Sequence, residues 1–126
     1  MGYRSEVIAV FYCNDPKDYP AMKLFIDETI GEELGGCLTE EDNYNGTSKY
    51  LRFYAEDVKW YDSDLEVRQF MAMLDRFGEL ADDEGSKLTW AFEFVRIGED
   101  LNDIDARKSD GASNALVVHR YVDINL

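Results

Sequence analysis

The sequence predicts an α+β domain: a two-layer sandwich in which a four-stranded, mostly antiparallel sheet carries two helices on one face, in the order β-α-β-α-β-β. Three observations predict it. Glu6–Cys13 is a nearly unbroken apolar run, rich in β-branched and aromatic residues, as expected of a strand buried on both faces. Residues 63–80 place apolar side chains at helical spacing behind a capping signature. Segments starting at Lys49, Leu88 and Ala115 alternate apolar with polar residues, the period of a strand with one dry face. A length of 126 residues suits one domain, 1–126, and a core that needs neither metal nor disulfide.

Taken in order, Asn14-Asp15-Pro16 ends the first strand. Asp15 can cap a helix that opens at Pro16. Pro20 has no amide hydrogen to give, so the regular helix begins at either proline and runs to Leu34. Met22, Phe25, Ile26 and Ile30 form its buried stripe, and Gly35-Gly36 stops it. Residues 37–48 read as a polar loop that turns at Asn45-Gly46. Lys49–Tyr61 reads as a long strand whose alternation slips. Leu51, Phe53 and Ala55 share a face, but Val58 and Trp60 fall in the other phase. One extra residue near Glu56-Asp57 restores the facing, which predicts a β-bulge there; a tight hairpin at Ala55–Asp57 lacks a glycine.

Ser63-Asp64-Leu65-Glu66 reads as a capping box for the second helix. Its stripe is Val67, Phe70, Met71, Leu74 and Phe77, and its end falls between Leu80 and Asp83. Two strands follow, Leu88–Ile97 and Ala115–Ile124. Between them, residues 98–114 form an acidic, then polar loop with a short helical turn near Asn102–Arg107. The helices should cover the face of Leu51/Phe53, Trp90/Phe92 and Leu116/Val118. Arg52, Tyr54, Glu93, His119 and Tyr121 are then left on an open face.

The net charge is −14. Charge of this sign disfavours direct binding to nucleic acid and to anionic membranes, since both need Lys and Arg to meet phosphates. No apolar run is long enough to span a bilayer and no signal core opens the chain, so a reducing cytoplasm is the expected setting. Cys13 and Cys37 make neither a disulfide framework nor a zinc site. A glycine-rich phosphate loop, a paired-histidine helix and a Gly-x-Ser-x-Gly elbow are all absent from the sequence. With His119 the sole histidine, a nucleophile–base pair could only join Cys13 to His119, and a cysteine inside a strand is ordinarily inert packing. Asp100 and Asn102 have the spacing of a calcium loop, but Ile104 and a missing glycine break it. No catalytic residue, metal or cofactor is expected.

Three stretches together carry a family resemblance: Met1-Gly2-Tyr3-Arg4-Ser5-Glu6-Val7, Asp57-Val58-Lys59-Trp60-Tyr61, and Arg96-Ile97-Gly98-Glu99-Asp100. The chain resembles a loose family of small, uncharacterised acidic proteins encoded by bacteriophages. The resemblance brings no catalytic residues. It implies a context, the host cytoplasm, in which small acidic proteins occupy a host protein, some of them resembling DNA in charge.

The expected function is therefore non-catalytic: a phage-encoded inhibitor or adaptor that binds a basic surface on a host protein. Asp82, Asp83 and Glu84 at one end of the second helix, with Glu56, Asp57, Asp62 and Asp64 at the other, would form a charged ridge. Tyr54 and Tyr121 would form a second contact surface, of the Tyr- and Arg-containing kind that interfaces favour. Against the ridge stands a purely solubilising charge. The alternative function is a small-ligand binder or metal-dependent enzyme using Glu99, Asp100, Asp103 and Asp105 of the 98–114 loop.

Overall fold

Ser5–Cys13 (β1) is the central strand of an antiparallel sheet, as its two-sided apolarity requires. The computed structural model describes residues 3–43, 46–83, 85, 87–100, 102–118 and 122–124. Val7, Ala9 and Phe11 point to one face and Ile8, Val10 and Tyr12 to the other, and all are buried.

After β1, Asp15 caps a 3₁₀ turn at Pro16–Asp18 by accepting from the Lys17 amide at 3.0 Å. Helix α1 (Tyr19–Thr29) follows, with Pro20 in its first turn, where a missing amide hydrogen costs nothing. The single helix expected to reach Leu34 is broken at Gly31, whose φ of 89° a side chain would resist. A one-turn helix, α2 (Glu32–Gly35), completes the segment.

The 37–48 loop also proves different. Leu38–Asp42 is a strand, β2, paired along β3 (Lys49–Val58). It was hidden because it is an edge strand, and Leu38 alone among its residues packs on the core. Asn45 lies outside the described residues; Gly46 takes φ 67°.

The bulge in β3 is present. Ser5 pairs with Val58 and Val7 with Ala55, so Glu56 and Asp57 together oppose Glu6. Asp57 takes φ 55°. Val58 and Trp60 thereby return to the core side, although the strand ends at Val58 rather than Tyr61.

Helix α3 (Leu65–Ala81) buries Val67, Phe70, Met73, Leu74 and Phe77, with Met71 half-buried at the margin. Its N-cap is Asp64, not Ser63, and no side chain caps it, so the expected capping box does not form. β4 (Trp90–Gly98) pairs with β1, and β5 (Ile104–Lys108) pairs with β4 where a helical turn was expected. The sheet order is β2-β3-β1-β4-β5, five strands rather than four. Phe53, Phe70, Leu74, Trp90 and Phe92 lie in the core under the helices, as the sequence facing requires.

The expected strand Ala115–Ile124 is two short ones, β6 (Leu116–Val118) and β7 (Val122–Ile124), which pair with each other and, among the described residues, with no other strand. The chain turns back near Ser109 and Asn114 and lays Ala115 and Leu116 on Ile8, Val10, Tyr12, Ala91 and Val95. Leu116 thus sits opposite the helices, not beneath them. Glu93, expected on an open face, is 4% exposed under this cover. His119, Tyr121 and the side chain of Val118 lie outside the described residues. No described helix is long and apolar enough to cross a membrane.

Candidate functional site

The register brings the start of β1 beside the ends of β3 and β4: Ser5 opposes Val58 on one side and Gly98 on the other. Tyr3 and Arg4 stitch this pole together. The Arg4 amide donates to Glu99 Oε1 at 2.7 Å and its guanidinium to the Asp57 carbonyl at 3.2 Å. The Tyr3 amide donates to the Tyr61 hydroxyl at 2.8 Å. The Tyr3 hydroxyl donates to Asp103 Oδ2 at 2.6 Å and accepts from the Asp100 amide at 3.0 Å. Glu56, Asp57, Asp62, Glu99 and Asp100 therefore gather, all exposed, at one end of the molecule. Asp64, half-buried at the N-cap of α3, adjoins them.

Beside this pole Arg96 grips Asp103 with two bonds, 3.1 and 2.8 Å. That grip, then the Tyr3 hydroxyl, holds the Asp103 carboxyl at about 2, well below its ordinary value. The Asp100 amide pulls the Tyr3 hydroxyl down, but the Asp103 carboxylate and burial outweigh it, and the net shift is upward. A Cβ at position 98 would run into the Asp103 carboxylate and the Tyr3 hydroxyl, so a side chain there would have to displace the bond between them.

Asp82 and Asp83 do not join this group. They lie at the far end of α3, whose 17 residues span about 25 Å. Asp82 Oδ1 accepts from the Asp110 amide at 3.1 Å and Asp83 Oδ1 from Gly85 at 3.0 Å; Glu84 lies outside the described residues. The exposed side of the helix between the two ends mixes Arg68 and Arg76 with Asp75 and Glu79. The single ridge expected from the sequence is thus two separate acidic groups. Tyr54 stands on the second sheet face, half-buried, with the Arg52 guanidinium 5.8 Å from its ring centre and its hydroxyl on Glu56 Oε2 at 3.2 Å.

A cleft of about 620 Å³ opens between α3, the loop after β3, and β5. Trp60, Val67 and Met71 give it an apolar floor, and Arg68, Asp75 and Arg107 stand among its walls. It exists because α3 packs over β4 while β5 extends the sheet one strand further.

The carboxylates of the 98–114 segment are differently engaged. Asp103 is held by Arg96, and Asp105 lies 3.6 Å from Arg107 Nε. No group of three or more His, Cys, Asp or Glu side chains among the described residues could hold a metal ion. The Cys13 thiol donates to Met22 Sδ at 3.6 Å, and burial, then Asp18 and Asp15, push it up to about 12. A thiol so protonated is a poor nucleophile.

Comparison of the chain with protein-family models, curated proteins and solved structures finds no match. The residues that sequence reasoning missed are Tyr3, Arg4 and Arg96, whose signal was positional. They flank the predicted strand ends where the acidic segments must meet.

Proposed function

We propose that this chain is a non-catalytic binding protein, phage-encoded, that acts as an inhibitor or adaptor by docking its acidic pole on a basic surface of a host protein. The observation that supports this reading most is the pole itself. Glu56, Asp57 and Asp62 come from one stretch, Glu99 and Asp100 from another, and Tyr3 and Arg4 hold both in place. Ordered, exposed carboxylates of one sign raise the encounter rate with a Lys/Arg-lined partner, in the way a phosphate backbone does. Tyr54, joined to the pole through Glu56, supplies an aromatic margin of the kind that anchors interfaces. Asp82 and Asp83 form a second, separate contact in this reading.

The test is retention of a partner from bacterial host lysate, followed by its affinity against salt. Glu56→Gln, Asp57→Asn, Asp62→Asn, Glu99→Gln and Asp100→Asn together should slow association, with melting unchanged. Affinity should also fall as salt rises, since exposed charges are screened over about 8 Å at physiological ionic strength. A partner bound equally by the variant, and equally at all salt concentrations, would refute the reading.

A second reading rests on the cleft beside α3, whose volume suits a small ligand. Thermal melts with Mg²⁺, Ca²⁺ and a nucleotide panel test it. A saturable rise supports ligand binding, and unchanged melts oppose it.

A further inference from the structure

We propose that the chain forms a two-fold dimer by pairing β5 with β5 of a second copy. The sheet ends at β5, with no described strand beyond it. Two hydrogen bonds fix which way its backbone faces. The Gly98 amide donates to the Asp103 carbonyl at 2.8 Å, and the Ser109 amide to the Phe92 carbonyl at 3.1 Å. In an antiparallel ladder alternate residues turn both backbone groups to the same neighbour. Asp103, Asp105, Arg107 and Ser109 therefore face β4, and Ile104, Ala106 and Lys108 face outward. The Ile104 amide also makes a local 3.2 Å contact with the Asn102 carbonyl, so its free outward group is the carbonyl.

A two-fold axis at Ala106 sets Ala106 against itself and Ile104 against Lys108 of the second copy. Four backbone hydrogen bonds form with no change in the monomer, by the pairing rules of such a ladder. Asp105 then opposes Arg107 of the second copy, twice, at the close, non-hydrogen-bonded positions where side chains meet. The sequence Asp105-Ala106-Arg107 is self-complementary only in this register. Ile104, 44% exposed in the monomer, is covered.

The opposite edge cannot do the same. The Tyr54 amide donates to the Cys37 carbonyl and the Asn43 amide to the Ser48 carbonyl, so Leu38, Glu40 and Asp42 face outward on β2. Pairing centred there would bring Glu40 against Glu40. Within a chain of net charge −14, β5 offers two cations, Arg107 and Lys108, against one carboxylate, Asp105.

Sedimentation of the full chain over a concentration series tests the proposal. The wild type should double its mass as concentration rises. Ala106→Pro removes an outward amide that β4 does not use, and should be monomeric with unchanged melting. Arg107→Asp alone and Asp105→Arg alone each set like charges opposite one another and should weaken the dimer about tenfold or more. Mixed in equal amounts, these two variants should associate with each other, because every opposed pair is then attractive. A wild type that stays monomeric throughout, or a dimer indifferent to Ala106→Pro, overturns the proposal. So does an Asp105→Arg variant that associates more tightly, since it would mean that β5 pairs with the acidic β2. Should Ala106→Pro fail to fold, the mixing result decides alone.

Discussion

On the helix side of the sheet, Phe53, Phe70 and Phe94 pack with Trp60, and Phe11, Phe77 and Phe92 cluster near Trp90 and Phe25, with ring centres 4.6 to 6.3 Å apart. On the other side Ala115 and Leu116 pack on a smaller apolar cluster, and the Glu93 carboxylate ties them down. Glu93 Oε2 accepts from the Tyr12 hydroxyl at 2.6 Å and the Ala115 amide at 2.8 Å, and Oε1 accepts from the Leu116 amide at 3.0 Å. Tyr12 in turn accepts from the Ser113 amide at 2.7 Å. Burial, then Glu93, push the Tyr12 hydroxyl up to about 12, so it remains a donor at any ordinary pH. The first face is bound by many non-directional contacts, each replaceable in part by its neighbours. The second has a smaller apolar cluster and leans more on a few directional bonds, because a buried polar group left unmet costs more than a made bond returns. The C-terminal cover should therefore open before the helical layer does.

The sharpest test of that contrast is Phe70→Ala, which should cost about 3–5 kcal/mol in denaturant unfolding and lower the melting of the whole domain. Glu93→Ala strips the partner from several buried donors and should cost about 1–3 kcal/mol. Its effect should be local: amide exchange at Ala115 and Leu116 should rise while exchange within α3 stays slow. Equal loss of protection in both layers would erase the distinction. Tyr12→Phe keeps the ring and removes one hydroxyl, so it should cost about 0.5–1.5 kcal/mol and show the same local exchange pattern.

The smallest effect belongs to the half-buried polar cluster of Tyr3, Arg96 and Asp103. Asp103 is ionised in the fold down to about 2, against an ordinary value of 3.8. A depressed carboxyl binds its proton more readily in the unfolded chain. Its stabilisation is therefore complete above 3.8 and is lost as pH falls through about 2. Acid unfolding of Asp103→Asn should be flatter across that window than that of the wild type, and an unchanged slope would remove Asp103 from the account.

What could be read from the sequence follows the same division. β1, the bulge and the α3 stripe were legible because each rests on apolar burial, continuous in β1 and periodic in the other two. β2 and β5, LTEED and IDARK, were not, because an edge strand needs little apolar periodicity to add to a sheet already formed. Glu93 read as a wet position by alternation, yet Ile8, Val10 and Tyr12 in β1 already required that this face be dry. That conflict was the available signal for the cover. Among the site residues, proximity in sequence misled. Asp82 and Asp83 belong to the same helix as Asp64 but lie a helix length away, whereas Glu99 and Asp100 arrive beside Asp57 through the register of β1.

The bulge at Glu56 and Asp57 carries a further consequence, about counting rather than chemistry. Because side chains alternate along a strand, the parity of the residue number between Ala55 and Trp60 decides on which side of the sheet the indole falls. The stretch should accept many substitutions, including Asp57→Gly at its left-handed φ, without reorganisation. It should not accept a one-residue deletion, which would carry Val58 and Trp60 to the wrong side and leave Phe53, Phe70 and Phe94 facing a void. Length, not composition, is what this segment has to preserve.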